Sequence, residues 1–205
     1  MKDREIEAKF LVADLHSVER KLQEVGAVLL QPRTFEQNLR FDTPDRRLSQ
    51  SGEVLRLRRD VHNVLTYKGV SVDDRGARSR QEIQTQVSDF EATRRLLEAL
   101  GFSVIMTYEK YRSEYELNGG KISLDEMPYG HFVEIEAESS ERVQELCRFL
   151  NLDWNRRVFY SYAELFSLVK DLDKLETDDL SFETFRNWKG NLARLGVLPA
   201  EEGTK

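Results

Sequence analysis

Apolar and charged residues alternate along much of the chain, the signature of strands whose two faces meet different surroundings. The alternation predicts strands over 3–11, 35–42, 53–60, 64–69, 79–87, 107–117, 121–126 and 131–138. His62-Asn63 suits one hairpin turn. Asn118-Gly119-Gly120 is a stronger hairpin signal, because these residues tolerate positive φ. Between and after the strands the period lengthens to that of a helix. Leu15, Val18, Leu22 and Val25 form one stripe, closed by Gly26. Ser88 and Glu91 read as a capping box ahead of Phe90, Leu96, Leu97 and Leu100, with Gly101 closing. Val143, Leu146, Cys147 and Leu150 make a third stripe, and Ser161 with Glu164 opens a fourth helix. After about residue 171 an acidic connector leads to 181–196, which reads as one more amphipathic helix, and the last residues read as a frayed end. The expected organisation is a main domain over 1–171 with a helical appendage over 172–205.

The charged residues of each strand fall on one face. Glu5, Glu7 and Lys9 oppose Ile6, Ala8 and Phe10; Asn38 and Arg40 oppose Leu39 and Phe41; Arg56 and Arg58 oppose Leu55 and Leu57. Thr66 and Lys68 oppose Leu65 and Tyr67; Arg78, Arg80, Glu82 and Gln84 oppose Ile83; Lys110, Arg112, Glu114 and Glu116 oppose Tyr111 and Tyr115. Ser123 and Asp125 oppose Ile122 and Leu124, and Glu134 and Glu136 oppose Val133 and Ile135. The apolar helix stripes need an apolar sheet face to cover. Two arrangements satisfy this: an open antiparallel sheet with its charged face in water, or a closed barrel with that face as a lumen. The alternation alone does not separate them.

Charge content narrows the chemistry. With 33% charged residues and a net charge of −6, the 205-residue chain is an ion-rich globular protein with no general nucleic-acid surface. The single Cys147 excludes an internal disulfide and reads as a structural thiol. The N-terminus has no secretory h-region and no stretch is long enough to span a bilayer, so a cytoplasmic location is expected. His16, His62 and His131 have no ligand spacing, and no P-loop, Rossmann or nucleophile-elbow motif occurs. A lumen crowded with Arg, Lys and carboxylates needs ionic partners. Arg and Lys grip phosphate oxygens, whereas carboxylates hold hard cations such as Mg²⁺ or Mn²⁺ that bridge to phosphates. That pairing suits metal-assisted phosphoryl or nucleotidyl transfer.

Six short elements, in order, then resemble a known family. "EIEAKF" has an E-x-E-x-K form, "FDTPDRRLSQSGEVLRLRR" ends in L-R-[LIV]-R, and "LTYKG" follows. "EKYRSEY" supplies K-x-R, "ISLDEMPYGHFVEIE" an aspartate and a second acidic pair, and "YSYAELF" the late S-Y-x-E-L segment. Over roughly residues 1–170 the chain resembles the CYTH superfamily, the triphosphate tunnel metalloenzymes. The resemblance implies an α+β fold: an eight-stranded antiparallel barrel enclosing a tunnel, with helices packed outside. It implies metal ligands at Glu5 and Glu7, with Glu134 and Glu136 opposite them and Asp125 and Glu82 as further acidic lining. Lys9, Arg40, Arg56, Arg58, Lys68, Arg80, Lys110 and Arg112 would hold the triphosphate, and Glu5, Glu7 and Lys9 would take part in catalysis. Gln84 stands where the family often carries a second acid.

The favoured reading is a Mg²⁺- or Mn²⁺-dependent hydrolase of inorganic or small organic triphosphates, with tripolyphosphate, ATP and thiamine triphosphate as candidate substrates. One alternative is a class IV adenylate cyclase, in which the ATP 3′-hydroxyl attacks the α-phosphorus. Another is a polyphosphate- or nucleotide-binding module without catalysis, against which both acidic pairs argue. No nucleic-acid or membrane partner is expected, and a homodimer is an allowed assembly.

Overall fold

The computed structural model describes residues 4–201. The alternating stretches fold as β1 (Arg4–Val12), β2 (Val28–Asp42), β3 (Val54–Arg59), β4 (Asn63–Lys68), β6 (Ala77–Gln86), β7 (Ser103–Leu117), β8 (Gly120–Met127) and β9 (Gly130–Glu136). Each expected strand is present. β2 and β7 extend beyond the alternating stretches that mark them, and two short strands, β5 (Val72–Asp74) and β10 (Asp179–Leu180), carry too few residues to show a period.

Hydrogen bonding runs β1-β9-β8-β7-β2-β3-β4-β6, and β6 returns to pair with β1. Eight antiparallel strands therefore close into a ring, settling the choice between open and closed that alternation left open. Closure removes the free edges an open sheet would expose. β5 adds to β6, and β10 lies parallel to β7 at Asp179↔Thr107. The hairpin between β7 and β8 turns on Asn118 and Gly119, with φ of 51° and 82°, as expected of a turn needing two left-handed residues.

Outside the ring, helices cover the apolar strand faces. α1 (Leu15–Glu24) and α4 (Ser140–Phe149) bury Val18, Leu22, Val143, Leu146 and Cys147 against Phe10, Ile122 and Ile135. α3 (Phe90–Ala99) covers Leu39, Phe41 and Leu57, while a short α2 (Arg47–Ser51) follows β2. α5 (Tyr162–Asp173) buries Leu165, Phe166 and Val169 beside Phe132 and Met106. Each such fully buried aliphatic side chain contributes about 1.5–3 kcal/mol relative to exposure. Cys147 is buried, donates to the Leu152 carbonyl at 3.0 Å, and has its thiol pushed up to about 12 by burial, as suits a structural thiol. Tyr115 and Tyr111 pack outside the ring, Tyr115 donating to Glu19 at 2.7 Å and Tyr111 stacking on Phe35 and Phe182.

Three local expectations are corrected. The N-cap of α3 is Asp89, accepting from the Ala92 amide at 2.9 Å, rather than Ser88. Leu96 and Leu100 are exposed, because the buried stripe of α3 runs through Phe90 and Leu97. The segment 181–196 is not one helix: it is a run of turns ending in a short 3-10 helix, Leu192–Leu195. There the Ser181 hydroxyl donates to Asp179, lies 2.9 Å from the Thr184 hydroxyl and accepts from the Thr184 amide, and Asn191 caps Ala193. Such local bonds compete with helix. Phe185, Leu192 and Val197 still pack on the ring, and the carboxylate of Glu201 accepts from the amides of Ala13 and Asp14. The rest of the expected frayed end, 202–205, lies outside the described residues. Among the described residues no helix is long and apolar enough to cross a membrane.

Candidate active site

The inward faces of the eight strands enclose a cavity of about 630 Å³. Glu5, Glu7 and Lys9 reach it from β1, Arg40 from β2, Arg56 and Arg58 from β3, and Lys68 from β4. Arg80 and Glu82 come from β6, Lys110 and Arg112 from β7, and Glu134 and Glu136 from β9. Period two puts each on the same side of the sheet, and ring closure points that side inward.

Asp125 is the exception among the residues singled out in the sequence. It is fully buried beneath the lining, where Arg112 grips it with Nε at 2.6 Å and Nη2 at 2.5 Å. Lys110 Nζ adds a bond at 3.1 Å and the Tyr162 hydroxyl one at 2.7 Å. With four donors on its two oxygens, Asp125 anchors cations; it is not free acidic lining.

The two acidic pairs also sit differently from the expectation that they face each other. β1 and β9 are neighbours, with Glu7 beside Glu136 and Lys9 beside Glu134 in register. Strand order in the ring, which motif order along the chain does not reveal, makes them one acidic wall. Ile6 and Ile135 point outward beneath α1 and α4 as expected.

Most of that wall is matched by cations. Lys68 lies 2.9 Å from Glu5 and 3.0 Å from Glu82. Arg80 lies 3.1 Å from Glu5 and 3.4 Å from Glu7. Lys9 lies 3.1 Å from Glu134, Arg112 lies 2.5 Å from it, and Lys121 lies 2.9 Å from Glu136. Burial would raise the carboxyl groups of Glu5 and Glu134, but Lys68 and Arg80 hold the first well below its usual range, and Lys9 and Arg112 the second. Glu7 goes the other way. Burial, then its neighbours Glu5 and Glu134, push its carboxyl up.

Across the ring, β2 contributes Glu36, which alternation places inward with Asn38 and Arg40 and which sequence reasoning overlooked. Glu36 is buried with no hydrogen bond to either oxygen; Lys110 stands at 3.5 Å and Arg58 and Arg112 at 3.9 Å. Asn38 is also fully buried with both amide atoms unpartnered. Arg56 touches only the hydroxyls of Tyr108 and Thr66, each at 3.4 Å. Neither Arg40 nor Arg56 has an ion pair among the described residues. Lining groups absent from the sequence assignment include Arg78, Lys121, Tyr108 and Tyr162. Arg78 lay on the same alternating face as Arg80, so the signal was present; Tyr162 arrives from α5, which strand periodicity does not cover. Lys9 Nζ sits 3.8 Å from the centre of the Tyr162 ring.

Among the described residues no three acidic, His or Cys side chains are gathered as a ready-made metal cluster. The donor chemistry nonetheless fits a hard cation: Glu5, Glu7, Glu134 and Glu136 offer only carboxylate oxygens on adjacent strands, and Glu7 carries more negative neighbours than its cations offset. The interior as a whole presents phosphate-gripping cations beside oxygen donors for such an ion.

Comparison with known proteins agrees with this architecture. A candidate adenylate cyclase of Methanocaldococcus jannaschii is 28% identical over 172 residues, 78% of this chain and 97% of the relative. The solved structure of a candidate adenylate cyclase from Vibrio parahaemolyticus superposes with a TM-score of 0.73 at 24% identity, over 82% of this chain and 99% of that one. A Hippeastrum candidate adenylyl cyclase, described as revealing a dominant triphosphatase activity, superposes at 0.60 with 18% identity, over 80% of this chain and 96% of its own. The CYTH domain model matches residues 3–165, and the protein belongs to the CYTH family.

Proposed function

We propose that the protein is a divalent-metal-dependent hydrolase of inorganic or small organic triphosphates, working inside the ring. The observation that carries the reading is the pair of inward arginines, Arg40 and Arg56, that form no ion pair among the described residues and face the same cavity as the Glu5–Glu7–Glu134–Glu136 wall. Two such arginines call for an anion supplied from outside. The chemistry is assigned to residues 1–171.

Arg40, Arg56, Arg58, Lys68, Arg80, Lys110 and Arg112 would bind the phosphate oxygens and fix the chain in line for attack. Glu5, Glu7, Glu134 and Glu136 would hold the metal. A Mg²⁺ or Mn²⁺ ion held by these carboxylates would supply neutralisation of phosphate charge. Glu5 or Glu7, in its ionised form, would orient the attacking water and take its proton. The bond from the terminal phosphorus to its bridging oxygen breaks, releasing orthophosphate and the shortened chain. Lys9, beside Glu134 and Tyr162, stabilises charge on the departing oxygen.

The candidate-cyclase relative at 28% identity favours a second reading, attack by the ATP 3′-hydroxyl on the α-phosphorus with loss of pyrophosphate. Offering tripolyphosphate, ATP and thiamine triphosphate separately with Mg²⁺ or Mn²⁺, and identifying the products, tests both. Orthophosphate from tripolyphosphate is expected. Cyclic AMP with pyrophosphate as the main product would establish the cyclase instead, and tight binding with no turnover of any would leave a binding module.

A further inference from the structure

β1 and β6 share only a short seam, from Arg4↔Gln81 to Glu7↔Arg78. Beyond Glu7 the two strands part. The gap is bridged by the segment after α4: Phe10 pairs with Arg157, and the Val158 amide donates to the Lys9 carbonyl at 2.7 Å. A second cavity of about 190 Å³ sits in this gap. Its lining includes Ala8, Val72, Ala77, Val158, Phe159 and Tyr160. It shares Glu7, Lys9 and Arg78 with the ring cavity, so the two abut through the wall.

The two cavities differ in character. Acids and bases dominate the ring cavity, and of its tyrosines Tyr162 is capped by Lys9 and Tyr108 bonded by Arg56. Beyond these tyrosines its apolar lining is Val54, Ile83 and Ala163, set among charged groups. The seam cavity offers a more apolar slot, and two large aromatics stand exposed at it, Phe159 at 57% and Tyr160 at 42% exposure. The segment that presents them is fixed. Arg157 lies 4.8 Å from the Trp154 ring and 4.7 Å from the Phe159 ring, and its Nε donates to the Gly76 carbonyl at 2.8 Å. Gly76 has φ of +88°, and a Cβ there would stand 2.7 Å from the Arg157 guanidinium, so glycine permits the clasp. Arg78 donates to the Phe159 carbonyl, tying the aromatic segment to a residue that also lines the ring cavity. Exposed aromatics beside a small cavity that adjoins a phosphate-gripping site fit a planar ring at the other end of the same ligand.

We infer that the seam cavity is a subsite for the organic group of a ring-bearing triphosphate, a nucleoside or other heteroaryl triphosphate whose phosphates lie in the ring cavity. This rests on the triphosphate reading of the ring interior. Lys9 and Arg78, at the boundary, then meet the phosphate nearest the organic group. Tripolyphosphate fills only the ring cavity and is indifferent to the seam.

The test compares Phe159→Ala, Tyr160→Ala and the cavity-filling Val72→Trp, with tripolyphosphate, ATP and thiamine triphosphate as substrates and equilibrium binding of each in parallel. Losing an aromatic stacking partner weakens binding about tenfold or more. The inference expects KM for ATP or thiamine triphosphate to rise about tenfold in these variants, with tripolyphosphate kinetics unchanged. Equal effects on all three substrates, or no effect on any, overturn the subsite while leaving triphosphate hydrolysis in place. If the wild-type protein binds tripolyphosphate but neither organic triphosphate, the subsite is also overturned. If nothing is turned over, hydrolysis fails on its own, and the same selective weakening measured by binding alone still decides the subsite.

Discussion

Two arcs of one ring carry opposite problems. The β1–β9 arc has four carboxylates on adjacent strands, three of them matched closely by Lys9, Lys68, Arg80, Arg112 and Lys121, while at Glu7 burial and the neighbouring Glu5 and Glu134 outweigh Lys68 and Arg80. In the ring order β2 stands four strands from β1 in either direction. On that β2–β3 arc the shortage is reversed, since Arg40 and Arg56 form no ion pair among the described residues. Each arc is short of the charge the other carries in excess, and on the proposed reading a cation on one side with a polyanion on the other would relieve both. Salt bridges within the protein satisfy the remaining charges, and Arg112 links the arcs by touching Asp125, Glu134 and Glu36.

The largest expected effect comes from cutting that link. Arg112→Met leaves the fully buried Asp125 without its bidentate partner, and breaking a buried pair costs about 3–5 kcal/mol. The melting temperature should fall by on the order of 10 °C. A fall of less than about 3 °C would show that the arcs are held together by other contacts.

Next come the acids. Glu7→Gln should lower metal-dependent tripolyphosphate turnover by about 10²–10³-fold, as removal of a charge-stabilising group in a closed site does. The same change removes repulsion from Glu5 and Glu134, so the metal-free variant should melt higher, by about 2–4 °C for each kcal/mol relieved. Glu136→Gln should cost less activity, because Glu136 is more exposed and already neutralised by Lys121. Undiminished turnover in Glu7→Gln would break the contrast between the arcs. On the cationic side, Arg56→Ala should raise KM for tripolyphosphate by about tenfold to a hundredfold. Arg59, three residues along β3, points outward over the Phe90 ring and bonds Gln37, so Arg59→Ala is the control expected to leave KM unchanged.

Much of this arrangement was legible in the chain because strand alternation is a local property. The inward positions of Glu5, Arg56, Lys110 and Glu134 follow from parity within single strands, and the apolar helix stripes supplied the covering layer. Closure of the ring and the adjacency of β1 to β9 depend on pairing between strands far apart in sequence, so Glu134 and Glu136 were expected opposite Glu5 and Glu7, not beside them. Asp125 shared the parity of lining residues yet is claimed by Arg112, Lys110 and Tyr162, contacts that three elements build together. Glu36 was missed although its parity matched Arg40, since the alternating stretch was read from residue 35 without asking what its first inward position did. The tail misled for another reason: Phe185, Trp188 and Leu192 mimic helical spacing, but side-chain oxygens of Asp179, Ser181 and Asn191 bond locally and fold it as turns.

The smallest expected effect separates two buried acids of β2, Glu36 in mid-strand and Asp42 at its end. Burial would raise Glu36, and Lys110, then Arg112, Arg58 and Arg56, bring it down to about 2. Burial would also raise Asp42, but bonds from Ser49, Leu48 and Thr43 bring it down to about 2 as well. Both values lie below the ordinary carboxylate value of about 4. Each group therefore contributes stability that is fully present above about pH 4.5 and is lost as the pH falls toward 2, because the unfolded chain takes up the proton first. Glu36→Gln and Asp42→Asn should each flatten the fall in unfolding free energy measured between pH 5 and pH 3. The causes differ, and so should the response to ligand. Tripolyphosphate bound to Lys110, Arg112 and Arg56 competes for the cations that hold Glu36 down, so its presence should shrink the Glu36 contribution. Asp42, held by hydrogen bonds at the start of α2, should be indifferent. Equal changes in both contributions on adding tripolyphosphate would mean that the anion is not bound against the β2–β3 arc.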